Sequence, residues 1–180
     1  DVFEAKSKPS GLTVHGVAPY KITNKEVLNE INYLREQLSF IFHFKHRIST
    51  REEFKELEKN YDAVFIGIGL GDSRSLNIPG ENLLNCFGAT EFIEQLRIKH
   101  HKIKIGKKVI VLGGGNTAMD AASEACRMGA ETIILAYRRA KEDMPAYQFE
   151  YDLAKKSGTK VIFNASPLEI SGKKKVERVK

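Results

Sequence analysis

The chain has 180 residues, 42% of them hydrophobic, so it can bury a domain-sized core and is neither a disordered chain nor a disulfide-stapled miniprotein. Its 29 basic and 23 acidic residues give a formal net charge of +6, a mild excess that favours anionic partners without choosing among them. No window has the roughly 18 apolar residues of a membrane span and no signal peptide is visible, which predicts a soluble, cytoplasmic protein with no membrane partner.

The first half of the chain contains two predicted helices that begin with capping boxes. Thr23 and Glu26 begin a helix over residues 25–37, and Thr50 and Glu53 begin a shorter one. Between these helices, phenylalanines at every second position indicate a half-buried strand. The apolar run 62–69, which ends in glycines, predicts a buried strand that leads into a tight turn. A further helix is predicted from Thr90 to Arg97.

The second half alternates apolar strands with helices, and this pattern predicts an α/β fold with a parallel sheet that is covered on both faces. The predicted strands are 109–112, 133–136 and 161–163, and the predicted helices are 116–128 and 146–156. A hairpin is expected near the end, over 168–170 and 176–179. Its lysine-rich turn is interpreted as solvated surface, so nucleic acid is not a predicted partner.

A glycine-rich motif follows the first of these strands and opens the next helix. Gly113, Gly115 and Ala118 form GxGxxA in this strand–turn–helix context, which indicates dinucleotide binding. Gly113 permits the tight turn, Gly115 lets the backbone approach a pyrophosphate, and Ala118 lets the helix lie close to the strand. The helix amides at Asn116 and Thr117 would hold the phosphates, and their side chains could add hydrogen bonds. The alternative is a structural turn without a ligand.

The end of the following strand discriminates between the two nicotinamide nucleotides. NAD sites place an acidic residue about 20 residues beyond the glycines, where it binds the ribose 2′-hydroxyl. This chain has Tyr137, Arg138 and Arg139 there, and two guanidinium groups suit a 2′-phosphate. The sequence therefore predicts NADPH and leaves NADH open, because arginines also tolerate a bare ribose. The alternative is two arginines that only extend their charged ends into solvent.

Three segments, GGGNTAMD (113–120), AYRR (136–139) and DMPA (143–146), resemble the NADPH-binding half of the glutamate synthase small (beta) subunit family. That family includes the flavin subunits of dihydropyrimidine dehydrogenase and of NADH-dependent ferredoxin:NADP oxidoreductase. From the motif and the resemblance together, the predicted cofactor-binding residues here are Gly113, Gly114, Gly115, Asn116, Thr117, Ala118, Tyr137, Arg138 and Arg139. The segment around Glu142 and Asp143 is either a plain helix-start loop or a loop that covers the nucleotide.

The resemblance also implies a flavin domain of the kind found in flavoproteins with two dinucleotide-binding domains. It assigns residues 1–100 to a partial FAD-binding domain with the crossover, and 101–180 to a Rossmann-like NAD(P)H-binding domain that is truncated at its C-terminus. FAD contacts in the full-length protein are then Glu4, at the adenosine ribose, together with Gly11, Leu12, Gly67 and Gly69. The N-terminal GxGxxG of the family is missing, so we expect a piece of a longer protein that binds FAD poorly and is inactive by itself.

The function implied by the resemblance is hydride transfer from NADPH to FAD, with electrons passed to a second subunit or an iron–sulfur protein. No catalytic acid or nucleophile is predicted, because the cofactors carry out hydride transfer. An alternative is a non-catalytic NADP(H)-binding module. Thioredoxin reductases share the architecture but need a CxxC, which Cys86 and Cys126 do not form. No metal site is predicted, since the histidines lack metal-binding spacing; they are His15, His43, His46, His100 and His101.

Overall fold

The computed structural model describes residues 1–71, 73–99 and 102–180. The chain divides into two units, Asp1–Gly71 and Asp72–Lys180. The predicted boundary between the two nucleotide-binding domains, at residues 100 and 101, falls on positions outside the described residues and stays a prediction. No described helix is both long enough and apolar enough to cross a lipid bilayer.

The first unit combines a two-stranded parallel sheet with helices. Its elements in chain order are β1 (Val2–Glu4), α1 (Gly11–His15), α2 (Asn24–Leu38), β2 (Phe42–Phe44) and α3 (Arg51–Asn60). Both predicted capping boxes form. The Thr23 and Thr50 hydroxyls accept from the amides of Glu26 and Glu53, and each glutamate accepts from the threonine amide in return. These helix starts were predictable because every contact spans only a few residues.

The predicted buried strand at 62–69 does not form, so that prediction is wrong. In the described part of this unit, the only paired strands are β1 and β2. Phe65 is 94% exposed and Ile68 is 89% exposed. An apolar run becomes a strand only where a neighbouring strand supplies hydrogen-bond partners for its backbone, and neither β1 nor β2 pairs with this segment.

The second unit contains the predicted parallel sheet. Its elements are α4 (Ala89–Ile98), β3 (Lys108–Leu112), α5 (Asn116–Arg127), β4 (Thr132–Ala136), a 3-10 turn (Lys141–Asp143), α6 (Gln148–Lys156), β5 (Lys160–Ile162), β6 (Ile170–Ser171) and β7 (Arg178–Val179). Strands β3, β4 and β5 lie side by side in that order and are parallel. Strands β6 and β7 form the predicted antiparallel hairpin. The predicted α/β fold class is therefore confirmed.

Helix α5 lies at the centre of this unit and contacts α4, α6, β3 and β4. Its small side chains at Ala118, Ala121, Ala122 and Ala125 are buried, which allows the close approach of helix and sheet that the motif predicts. The opposite face of the sheet differs from the prediction of two covered faces, because Ile110 is 43% exposed there.

Candidate dinucleotide-binding site

The turn after β3 has the backbone geometry that requires glycine. Gly113 has φ +139°, in the left-handed half of conformational space, where a side chain is strained. Its amide donates a 3.0 Å hydrogen bond to the carbonyl of Ala136, which joins the turn to the end of β4. A Cβ on Gly113 would lie 3.6 Å from the Cβ of Ala118, so the first turn of α5 packs directly onto the glycine.

Gly115 is the N-cap of α5 and faces open space. Apart from its two chain neighbours, no described residue has an atom within 4 Å of the position that its Cβ would occupy, and no described side chain caps the helix there. The amide of Ala118 donates to the Gly115 carbonyl at 2.9 Å, and the amides that precede it in the first turn have no acceptor within the helix. The positive end of the helix dipole favours an anion near them. Thr117 is exposed and Asn116 is half-buried beside this space. The geometry fits the phosphates of a dinucleotide.

Gly114 packs against Tyr137, the residue that follows β4. A Cβ on Gly114 would lie only 2.6 Å from the Tyr137 ring, so the ring occupies the space beneath this glycine. The ring is 8% exposed, and its hydroxyl donates a 2.7 Å hydrogen bond to the carbonyl of Asp143. The sequence predicts Gly114 and Tyr137 as separate cofactor contacts, and the structure brings them into direct contact with each other.

The loop between β4 and α6 returns to the glycine turn. The amide of Ala146 donates to the carbonyl of Gly114 at 3.1 Å, and the amide of Tyr147 donates to Oδ1 of Asn116 at 2.9 Å. The sequence predicts neither contact. The DMPA segment indicates that this loop belongs to the site, but it does not specify the pairing.

Arg138 borders an apolar groove at the carboxyl end of the sheet. The groove has a volume of about 180 Å³ and lies between the ends of β3 and β4. Its lining residues are Leu76, Leu112, Gly113, Ala136, Tyr137, Arg138, Ala165 and Pro167. This set brings together three predicted site residues and contains no carboxylate among the residues that the structure describes.

The two arginines differ in their place at this groove. Both are exposed, but Arg138 lines the groove and Arg139 does not. The backbone between them is held in place, since the amides of Asn164 and Ala165 donate to the carbonyls of Arg139 and Tyr137, each at 3.1 Å. The backbone that carries Arg138 is therefore held beside the apolar groove, an arrangement that suits an adenosine 2′-phosphate whose base lies in the groove.

The predicted flavin contacts lie in the first unit on separate segments. Glu4 ends β1, and its Oε1 accepts a 2.7 Å hydrogen bond from the amide of Lys6. Gly11 and Leu12 begin α1, and both are exposed. Gly67 and Gly69 are exposed in the segment that forms no strand. The Glu4 carboxylate suits a ribose, and the flavin roles of all five residues stay predictions.

The described residues contain no group of three potential metal ligands, and two of the five histidines, His100 and His101, lie outside the described residues. Cys86 and Cys126 are free thiols. Burial, and secondly the charge of Glu81, raise the pKa of the Cys86 thiol. A raised pKa keeps the thiol protonated, which disfavours disulfide exchange at this residue.

The sequence matches one protein family over nearly its whole length. The model of the pyridine nucleotide-disulphide oxidoreductase family matches residues 4–180. The chain belongs to this family. The family description agrees with the predicted pyridine nucleotide.

Individual relatives agree with the predicted resemblance to glutamate synthase small subunits, which is confirmed. The glutamate synthase [NADPH] small chain of Escherichia coli is 31% identical over 99% of this chain and 40% of the relative. The same protein from Halomonas elongata is 30% identical with the same coverage. The NADPH-Fe(3+) oxidoreductase subunit beta of Geobacter sulfurreducens is 31% identical over 89% of this chain and 24% of the relative. The chain thus spans about 40% of the length of the glutamate synthase small chains that it matches.

Solved structures show the same fold. FprA from Mycobacterium tuberculosis superposes with a TM-score of 0.78 at 23% identity, over 98% of this chain and 55% of that one. The thioredoxin reductase of T. acidophilum gives 0.62 at 17% identity, over 98% of this chain and 60% of that one. The predicted fold of two-dinucleotide flavoproteins is thus confirmed.

Proposed function

We propose that this chain contains the NADPH-binding site of an FAD-dependent oxidoreductase that passes electrons to a partner subunit. The observation that carries the proposal is the groove that unites Gly113 of the glycine turn with Arg138, next to the open N-terminus of α5. A dinucleotide needs both features, a cradle for its pyrophosphate and a surface for its adenosine half. We assign residues 101–180 to the nucleotide-binding domain and 1–100 to part of the flavin domain.

Each residue of the site has a role in this proposal. The first amides of α5, at Asn116 and Thr117, donate to the pyrophosphate, and Gly115 provides the space for it. Arg138, at the groove, and Arg139 bind the 2′-phosphate by charge-assisted hydrogen bonds. The absence of a carboxylate lining the described groove removes the repulsion that an NAD-type acidic residue would exert on that phosphate.

The flavin and partner assignments rest on the family resemblance. When bound, NADPH supplies a hydride and FAD accepts it, with the protein providing position and electrostatics. Glu4 supplies a carboxylate for the flavin ribose, and Gly11, Leu12, Gly67 and Gly69 supply the other flavin contacts in the full-length protein. Relatives named as a small chain or a subunit beta support a protein partner as electron acceptor, for which an iron–sulfur protein is the proposed class.

Calorimetric titration of the chain with NADP⁺ and NAD⁺, together with an absorbance scan for bound flavin, tests the proposal. We expect NADP⁺ to bind clearly more tightly than NAD⁺, because only NADP⁺ carries the phosphate that the arginines recognise. We expect no flavin absorbance from the isolated chain. Binding of neither nucleotide would contradict the proposed site.

A non-catalytic NADP(H)-binding module is the second candidate, and the exposure of Gly67 and Gly69 favours it for the isolated chain. A dye-reduction assay with NADPH and added FAD separates the two candidates. Sustained NADPH oxidation excludes the pure binding module. No oxidation even by the full-length protein excludes the enzyme.

A further inference from the structure

The loop from residue 140 to 147 is fastened to the nucleotide turn, and one side chain lies at the centre of the connection. Tyr137 supports Gly114 from below with its ring, and its hydroxyl donates to the carbonyl of Asp143 within the loop. Both the ring and the hydroxyl of this buried tyrosine therefore contact the protein. Its hydroxyl hydrogen is already donated to the protein backbone, so this group is not available as a donor to a nucleotide phosphate.

The loop in turn fixes the orientation of one peptide group in the glycine turn. The amide of Ala146 donates to the carbonyl of Gly114. Because a trans peptide is planar, its C=O and N–H point in opposite directions. The hydrogen bond to Ala146 therefore sets the direction of the Gly115 N–H, at the N-terminus of α5, where the proposed pyrophosphate site begins.

We propose that Tyr137 is a positioning residue that holds the 140–147 loop against the glycine turn and thereby presets the amide of Gly115 for the nucleotide. The effect on binding rests on the proposed function, while the effect on the loop does not. A cradle that is ordered before the ligand arrives spares the cost of ordering it on binding. Tyr137 thus acts through Gly114 and the loop, and this role differs from a direct contact with the 2′-phosphate.

The variant Tyr137→Phe tests the proposal, since it keeps the ring beneath Gly114 and removes only the hydroxyl. Hydrogen exchange is measured at the amides of Ala146 and Tyr147, and nucleotide affinity is measured by calorimetry. We expect exchange at both amides to accelerate and the affinity to fall, each by about three- to tenfold, the range for one hydrogen bond. We expect the affinities for NADP⁺ and NAD⁺ to fall by the same factor, because the pyrophosphate is common to both.

The control variant is Tyr151→Phe in α6, whose ring lies beside Lys141 of the same loop. It removes a tyrosine hydroxyl near the loop but keeps the ring contact, so neither readout should change. If Tyr137→Phe weakened the binding of NADP⁺ but not of NAD⁺, Tyr137 would have a direct role at the 2′-phosphate, and the proposal would be overturned. Unchanged exchange at Ala146, or faster exchange with unchanged affinity, would also overturn it. If the unmodified chain binds neither nucleotide, the proposed function fails, and exchange alone decides whether Tyr137 holds the loop.

Discussion

The amide of Tyr147, at the start of α6, donates a 2.9 Å hydrogen bond to Oδ1 of Asn116, at the start of α5. Two helix starts that are far apart in sequence are thus joined at the edge of the proposed nucleotide site. Asn116 therefore has a structural role, holding the start of α6, in addition to its predicted contact with phosphate. The two roles use different atoms of its side chain. The side-chain oxygen holds the loop, which leaves the Nδ2 group as the donor for a phosphate.

The variant Asn116→Asp separates the structural role of Asn116 from its phosphate-binding role. The carboxylate keeps an acceptor for the Tyr147 amide and suits the positive end of the α5 dipole, so the thermal stability should be unchanged or rise slightly. The same negative charge repels a pyrophosphate, and we expect affinity for NADP⁺ and NAD⁺ to fall by roughly tenfold or more. Asn116→Ala is the control, since it should accelerate hydrogen exchange at Tyr147. Unchanged affinity in Asn116→Asp would place the phosphates elsewhere.

The arginines should determine the choice between the two nucleotides. We expect the double variant Arg138→Ala/Arg139→Ala to weaken NADP⁺ binding by at least roughly tenfold, the equivalent of about 1.4 kcal/mol, and to change NAD⁺ binding little. Arg138→Ala alone should account for most of the loss, because only Arg138 lines the groove. Calorimetry measures both affinities, and Lys155→Ala/Lys156→Ala, in the last turn of α6, controls for the loss of two positive charges. Equal losses for both nucleotides would refute the assignment.

Of the three consecutive glycines, the first two should lose folding stability when replaced by alanine, and the third should not. Gly113→Ala strains a backbone at φ +139° and should cost about 1–3 kcal/mol of folding free energy. Gly114→Ala places a methyl group against the Tyr137 ring and should cost a similar amount, about 1–3 kcal/mol, by overpacking.

In Gly115→Ala the added methyl group contacts no other described residue beyond its chain neighbours, so the stability should be nearly unchanged. The nucleotide affinity should fall, because the methyl group occupies the proposed phosphate space. Thermal unfolding and calorimetry on the three variants check this pattern. The reverse pattern, in which Gly115→Ala destabilises the protein and keeps its affinity, contradicts the cradle.

Two buried side chains of opposite charge in the second unit should contribute more to the free energy of unfolding than an exposed ion pair. Arg97 of α4 and Glu124 of α5 are both buried. Burial lowers the pKa of Arg97, and the charge of Glu124 opposes that shift. Glu124→Gln removes the buried carboxylate whose charge acts on this guanidinium and should cost about 3 kcal/mol.

The exposed pair of Lys107 and Glu131, whose charged atoms are 2.7 Å apart, provides the matched control. Glu131→Gln should cost less than about 1 kcal/mol. Chemical denaturation compares the two glutamine variants. In addition, replacing both buried partners, as Arg97→Met/Glu124→Leu, should recover most of the loss from Glu124→Gln. Equal costs for Glu124→Gln and Glu131→Gln would contradict a buried ionic interaction.

The cap of α3 should weaken in acid. Hydrogen bonds from the amides of Ser49 and Thr50, and from the Thr50 hydroxyl, hold the pKa of Glu53 below its ordinary value of 4.5. A lowered folded-state pKa means that the cap contributes fully above the unfolded-state pKa and is lost as pH falls through the folded-state pKa. Proton NMR titration should show the Thr50 amide losing protection over that range. In Glu53→Gln, which cannot titrate, the acid-dependent change should be absent.

The sequence determined the features that depend on neighbouring residues. The two capping boxes formed as predicted because Thr23 and Glu26, like Thr50 and Glu53, are three residues apart. The glycine turn before α5 was equally predictable, since a positive φ at Gly113 is a local requirement that glycine meets at low cost.

The tertiary structure decided the features that need a distant partner. The run 62–69 has the composition of a strand, yet no strand pairs with it among the described residues, because β structure requires hydrogen bonds from another segment. Likewise, no spacing in the sequence indicates that the Tyr137 ring lies beneath Gly114 or that Asn116 holds the Tyr147 amide. Those contacts exist because β4 lies beside β3 and α6 packs against α5. The motif therefore predicted the kind of ligand, and the packing of the second unit determined which side chains build its site.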